Sequence, residues 1–510
     1  MLGLLFSQPP SSSDSSLHSG VSAYSILIGA GILWARAIAV LQHLPGEPPS
    51  RAKIGCRYGR AGTLLRLCFA TTIAVAALMS PTPAAAECDL TETVAAHGAA
   101  GIPEDVIVAI DPGGVRRALS RHGVEIGGGY HGEAFNNWGG IRDGGQYDGV
   151  LELHMNASMH RLGLWRGLCF YTDGYQIHGR SITGINVGGL MPVSSLEAEP
   201  ATRLFEMWFE QHLFNETVSV KFGQLAADAE FIISEGGGYF LNGTWGWPSI
   251  AAENNPSGGP AYPLATPGVR VVYNPTQKIG LMLGVYNGDP APQCNKADGD
   301  PQRCNDHGLD FELDDDPLLM AEGAYSYELG AFPGIIKIGG WNHFGTFNHQ
   351  RVDVGGELIA ITGNDGRPLE HDWALYGIVD QLIWRVPGSE EPQGVAVFAR
   401  VIGAPTDRNL IDFYFDGGFT FTGMIPGRPN DALAIGFAYT GISNQVSAFD
   451  VDSGEIVARN YESLVEIAYT FEITPGWFLQ PDFQYFWNPR GNVAGQKDAA
   501  VLGARISIAF

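Results

Sequence analysis

The chain has 510 residues, of which 16% are charged, 11% aromatic and 68 are glycine, with 30 Lys and Arg against 54 Asp and Glu for a formal charge of −24. Only six of the basic and two of the acidic residues precede position 87, so the acidic excess belongs to the rest of the chain and disfavours nucleic acid and anionic substrates there. Past the N-terminal segment no run of 18 or more apolar residues offers a membrane helix; the apolar content is spread over short alternating stretches, as in a spanning β-barrel or a large soluble β protein.

Residues 1–86 read as an N-terminal extension followed by a secretory signal, absent from the mature protein. Arg60 and Arg66 give the positive flank, residues 67–79 the apolar core, and Ala84, Ala85 and Ala86 the small-residue cleavage site before Glu87. Upstream, "YSILIGAGILWARAIAVL" reads either as an extra membrane helix or targeting extension, or as an upstream-extended gene call. Arg36 interrupts its apolar run, and a good signal follows. Cys88, Cys169, Cys294 and Cys304 lie beyond the signal, in keeping with export to an oxidising compartment. Cys294 and Cys304, ten apart in the polar loop "CNKADGDPQRC", are a candidate disulfide; a Cys88–Cys169 pair has no support from spacing. Residues 87–123 form a periplasmic lead-in, with a short helix expected in "DPGGVRRALSRHG", either packing under a barrel mouth or acting as a plug.

Sixteen strands follow, expected at 124–133, 147–159, 168–179, 203–214, 217–228, 269–275, 279–288, 318–330, 335–346, 373–386, 394–404, 409–423, 432–443, 461–473, 477–487 and 499–510. In "RLFEMWFEQHLF", Phe205, Met207, Phe209 and Leu213 share one face and Glu206, Trp208, Glu210 and His212 the other. In "DFYFDGGFTFTG", Phe413, Phe415, Phe419 and Phe421 oppose Tyr414, Asp416, Thr420 and Thr422. Many strands reach the 9–11 residues that a tilted bilayer crossing needs. Connections after even-numbered strands are short and most after odd-numbered ones are long, the one short exception being that around Asp407. That asymmetry predicts a 16-stranded antiparallel transmembrane β-barrel over 124–510, with short periplasmic turns and long extracellular loops. The final stretch "AAVLGARISIAF" must then pair with 124–133, because a spanning sheet can leave no open edge. Its apolar face, Leu502 to Phe510, meets lipid, and Arg505 and Ser507 meet the lumen.

The passages "FGQLAADAEF", "NGTWGWPS", "ARVIGAPTDRNLIDFYFDGGFTFTGMIPGRPNDALAIGFAYTGIS", "GDPQRCNDHGLDFELDDDPLLMAEGAYSY" and "LQPDFQYFWNP" resemble the carbohydrate-selective outer-membrane porin family (OprB-type). The resemblance covers nearly all of 113–510 and departs at the Cys294/Cys304 pair and at "CFYTDGYQIHG". It implies a sixteen-stranded barrel in the bacterial outer membrane, passing glucose and related neutral sugars passively into the periplasm. A non-selective or ion-preferring porin is the alternative. Its partners would be small carbohydrates, outer-membrane lipid and, through the terminal aromatic Phe510, the outer-membrane assembly machinery; the barrel would be a monomer or homotrimer.

A sugar needs aromatic faces for its CH surface and charged or amide groups for its hydroxyls. The lumen-facing sets offer Glu152, Glu206, Trp208, Glu210, Lys221, Arg270 and Arg400. Trp208 reads equally as a substrate contact or wall packing, and the arginines equally as permeant contacts or wall salt bridges. The longest connection, 229–266, is the expected pore-narrowing loop and adds Glu235, a triple glycine, Tyr239, Trp245 and Trp247, the tryptophans fitting loop packing better than ligand contact. The run Asp314 to Asp316 reads as a solvated loop edge rather than a calcium site. No Ser-His-Asp signature, P-loop or zinc spacing stands out, so neither an enzyme nor a cofactor is expected.

Overall fold

The computed structural model describes residues 111–291, 300–389, 393–493 and 496–510. The expected leader, Cys88 and Cys294 lie outside them; Cys169 and Cys304 are each disulfide-bonded. After a short helix, α1 (Val115–Arg121), come sixteen strands. They are β1 (Val124–Gly139), β2 (Gly144–Ser158), β3 (Leu168–Gly179), β4 (Ala201–Leu213), β5 (Val218–Leu225), β6 (Thr266–Thr276), β7 (Ile279–Asn287) and β8 (Pro317–Leu329). The second half comprises β9 (Phe332–Asp353), β10 (Gly366–Arg385), β11 (Gly394–Gly403), β12 (Ile411–Thr422), β13 (Ala432–Ile442), β14 (Tyr461–Thr474), β15 (Trp477–Trp487) and β16 (Ala499–Ala509). Each pairs antiparallel with its sequence neighbours, and β16 returns to β1 to close the barrel.

Closure gives every strand two partners, which is what hydrocarbon demands of a spanning backbone. The seam runs from Gly129 opposite Ala509 to Gly139 opposite Ala499. Phe510 extends it: its N–H donates to Gly128 O at 2.9 Å, and its carbonyl accepts from Gly128 N at 3.0 Å. The seam thus lies further along β1 than the expected 124–133, because β1 continues to Gly139. That extension also shortens the β1–β2 connection to residues 140–143, a second short link on the long-loop side. Likewise β9 and β10 run on as a hairpin beyond their expected ends, leaving residues 354–365 as the loop.

The two faces sort as the alternation requires. On β12 Phe413, Phe415 and Phe419 are exposed outward, while Tyr414, Asp416 and Thr420 are buried inside. Outward Leu375, Ile338, Ile467 and Leu502 are exposed in the same way. A continuous apolar exterior of this kind matches lipid rather than water. One strand departs from expectation. A register shift between Thr172 and Gly174 marks a bulge in β4, so Phe205 turns inward beside Tyr175 and Tyr262 instead of facing lipid. The packed apolar clusters lie within the barrel, between its wall and inward-folded loops.

Candidate functional site

Residues 226–265, joining β5 to β6, fold into the lumen. They contain a helix, α2 (Ser249–Asn254), and several tight turns. An inward loop carries backbone donors away from water, and each needs an acceptor. The wall supplies carboxyl groups. Glu322 accepts from Ile232 N at 3.2 Å, Asp380 from Gly236 N at 3.0 Å and Ser234 Oγ at 2.7 Å. Glu466 accepts from Leu241 N and from Trp245 Nε1, both at 2.6 Å, and from Asn242 N at 3.3 Å. Arg400, buried and paired with Asp416, donates to the carbonyls of Ile232 (2.7 Å), Thr244 (2.9 Å) and Trp245 (3.0 Å).

Glycine makes the approach possible at two places. A Cβ on Gly236 would lie 2.3 Å from Phe398 Cδ1, and one on Gly436 of β13 would lie 2.5 Å from Trp245 Cη2. Trp245 stacks on Phe240 with ring centroids 4.3 Å apart and sits edge-on to Phe398.

A second segment, residues 180–200 between β3 and β4, also turns inward; nothing in its composition signalled this. Glu462 accepts from Leu190 N (2.7 Å) and Met191 N (2.9 Å), and Gln484 donates to Val193 O (2.8 Å). The two loops are stitched together by Ser195 N to Leu241 O (2.7 Å) and Gly243 N to Pro192 O (2.9 Å). Within the second loop Glu197 accepts from Thr183 Oγ1 at 2.8 Å and Thr183 N at 3.1 Å. Burial pushes its carboxyl up to about 7 against these hydrogen bonds.

Beside the loops, four charged side chains form a belt across β4, β5 and β6, where Glu210 lies opposite Lys221 and Lys221 opposite Arg270. Arg270 donates to Glu210 Oε1 at 3.0 Å and Ser219 Oγ at 2.6 Å, and grips both oxygens of Glu230 at 2.8 and 3.1 Å. Lys221 also bonds Glu230, and its ammonium lies 4.1 Å over the Trp208 ring. Burial pushes the Glu230 carboxyl up, but Arg270 and Lys221 outweigh it and hold the group at about 2. Two carboxylates and two cations thus balance within one cluster.

A closed barrel narrowed by internal loops, with a charged belt on its wall, is the geometry of a diffusion channel. The sequence matches the model of the carbohydrate-selective porin, OprB family, over residues 142–510. The chain belongs to that family. It is a bacterial outer-membrane porin, and family and fold both point to a channel. Porin B of Pseudomonas aeruginosa is 24% identical over 446 residues, 82% of this chain and 94% of that protein. The high-pH structure of Pseudomonas putida OprB matches with a TM-score of 0.70 at 21% identity, covering 78% of this chain and 97% of that one.

In this porin Glu210, Lys221 and Arg270 come together in the belt, joined by Glu230, which sequence reasoning missed because its loop position carries no strand period. Trp208 is nearby, but Tyr171 stacks on it at 5.0 Å and Lys221 covers it, so it packs into the wall. Arg400 and Trp245 are walled off from solvent and hold the loop. Trp247 is half-buried, its Nε1 donating to Gly258 O at 2.9 Å. Glu206 is buried and accepts from Ala226 N at 2.8 Å, where the loop leaves β5. Glu152 is buried on β2, 3.3 Å from His154 Nδ1. Glu235 is exposed on the loop edge with Gly238, and Tyr239 beside them is half-buried. Arg505 pairs with Glu133 and reaches Ser195 Oγ at 3.1 Å, tying β16 to the second loop. Asp315 bonds Asn287 Nδ2 at 2.8 Å, pinning the acidic loop edge to the end of β7.

Proposed function

We propose that the chain passes glucose and related neutral sugars down their gradient into the periplasm. The observation that carries this reading is the charge balance of the belt Glu210, Arg270, Glu230 and Lys221. A belt with no net charge gives a permeating ion no strong attraction, whereas its fixed donors and acceptors can exchange hydrogen bonds with sugar hydroxyls. This favours sugars over the ion-preferring alternative. The loop edge of Glu235, Gly238 and Tyr239 supplies the complementary contact, with Tyr239 as the aromatic face. Glu206, Trp208, Trp245 and Arg400 act through the position of the loop and wall, and Glu152 and Trp247 stand behind the contact surface. Weak successive contacts recruit the sugar and release it quickly enough to conduct.

In proteoliposomes, glucose influx should saturate and exceed that of a charged solute of similar size. Equal, non-saturating entry of both would support a general diffusion pore instead. Phe510, placed at the end of the seam, is further proposed to be the residue that the outer-membrane assembly machinery reads.

A further inference from the structure

The periplasmic rim under β1 to β3 differs from the rest of this acidic chain. Residues 159–167, joining β2 to β3, form an ordered turn: Leu162 N donates to Ser158 O at 3.1 Å, Gly163 N to His160 O at 2.9 Å and Leu164 N to Met159 O at 2.8 Å. It is tied to β4 by His212 N to Gly167 O at 2.8 Å and Gln211 Nε2 to Arg166 O at 3.1 Å. Held this way, all of residues 161–166 point into solvent, with Leu164 74%, Trp165 43% and Leu162 41% exposed. Arg161 and Arg166 flank them, and neither side chain makes an ion pair among the described residues.

α1 adds Arg116 and Arg121 to the same rim, while its Arg117 pairs with Asp111 at 3.1 Å. The two are joined where Arg161 lies against Gly123: a Cβ there would come within 2.5 Å of Arg161 Cβ. Of the nearby carboxylates, Asp111 is engaged by Arg116 N (2.9 Å), Arg117 N (3.2 Å) and Arg117 Nε (3.1 Å), and Glu125 by Ser120 Oγ (3.4 Å). The other long periplasmic turns lack this sign. In 423–431 Arg428 is neutralised by Asp431, and 386–393 carries Glu390 and Glu391.

Immediately above the turn, on the lipid face, Phe170, Phe209 and Phe222 stack in a row, with centroids 4.9 and 5.8 Å apart. The turn therefore sits at the lower border of the hydrocarbon. Exposed Trp and Leu between arginines at that depth match an interface in which indole and aliphatic groups enter the acyl boundary and guanidinium groups meet phosphate. We infer that residues 161–166, with Arg116 and Arg121 of α1, form a docking surface for anionic glycerophospholipid headgroups of the periplasmic leaflet. The charge complementarity decides the lipid class: phosphatidylglycerol carries the net negative charge that this rim lacks, and phosphatidylethanolamine does not.

The test is native mass spectrometry of the purified full chain given equimolar phosphatidylglycerol and phosphatidylethanolamine. The wild type should retain phosphatidylglycerol preferentially. Arg161→Gln with Arg166→Gln should lower that preference by about fivefold for each arginine removed. Trp165→Ala should reduce retention of both lipids. Folding is checked by the heat-dependent gel mobility of the barrel, and single-channel conductance should match the wild type in both variants. Equal retention of the two lipids by the wild type, or an unchanged ratio in the arginine variant, would overturn the inference. A photo-crosslinker at position 165 should capture lipid; capture of residues before 111 would show that the chain's own segment covers the surface, and would overturn it too.

Discussion

Replacing Glu466 by alanine tests how the lumen is narrowed. Its carboxyl receives Leu241 N and Trp245 Nε1 at 2.6 Å each and Asn242 N at 3.3 Å, all three donors buried in the loop. Alanine leaves those donors bare at about 1–3 kcal/mol each, so loop docking loses on the order of 5 kcal/mol. The strand ladder of β14 is untouched, because backbone pairing to β13 and β15 does not involve the side chain. The barrel should therefore assemble while residues 226–265 detach from the wall. Single-channel recording in planar bilayers should show larger, noisier ion conductance, and glucose should block it less. Glu466→Gln is the finer probe. Its amide oxygen can still accept the Leu241 and Asn242 N–H groups, but its NH2 group would then face the Trp245 Nε1–H donor. Its conductance should fall between the wild type and Glu466→Ala. A correctly folded Glu466→Ala barrel with wild-type conductance and wild-type glucose block would refute the claim that wall carboxyls hold the constriction.

Four further outcomes follow from the same geometry. Glu230 is held near 2 against an ordinary 4.5, so its contribution is present above 4.5 and is lost as pH falls from 4.5 through 2; that is worth about 3 kcal/mol to the loop. Wild-type conductance should become unstable towards pH 2, and Glu230→Gln should show that instability at neutral pH; a variant that keeps the wild-type profile would contradict it. Arg400→Ala leaves Asp416 buried and uncompensated and should destabilise the folded barrel by about 3–5 kcal/mol in denaturant titrations, with part recovered on adding Asp416→Ala; an unchanged midpoint would count against the buried pair. Tyr239→Ala should weaken glucose block by about two- to tenfold, the worth of one aromatic face, with ion conductance no lower than the wild type; unaltered block would remove Tyr239 from the contact surface. Phe510→Ala keeps both backbone bonds to Gly128 and should refold in detergent like the wild type yet accumulate poorly in the outer membrane, whereas normal accumulation would deny the terminal aromatic a signalling role.

The sixteen strands were legible because two-residue periodicity is a local property. In β12 and β14 each outward phenylalanine, isoleucine or valine could be assigned from its neighbours alone. Phe205 broke the pattern because a bulge depends on the partner strand: Gly174 and Thr172 of β3 set it, and β4 by itself gives no sign. The reach of β1, β9 and β10 was understated for a related reason. Their outer ends lie beyond the expected bilayer crossing, β1 paired with β2 and β16 and β9 with β10, where alternation of polarity no longer marks two faces. The narrowing loop was recognisable by length and by its glycines. The role of the acidic wall was not. Glu206 read as a lumen-facing contact, and Glu322, Asp380, Glu462 and Glu466 were not singled out, yet each accepts backbone N–H groups from the inward loops. Which backbone donor meets which carboxylate is set by contacts between segments up to 272 residues apart, and no periodicity reports such a contact. Glu230 and residues 180–200 were missed for the same cause.

The most direct test of the central claim is single-channel recording of the wild-type barrel in a planar bilayer while glucose is titrated. A sugar held in turn by the belt and the loop edge should lower the ion current reversibly and saturably at millimolar concentrations. No channels at all, or an ion current indifferent to glucose, would contradict the account of a sugar-selective lumen.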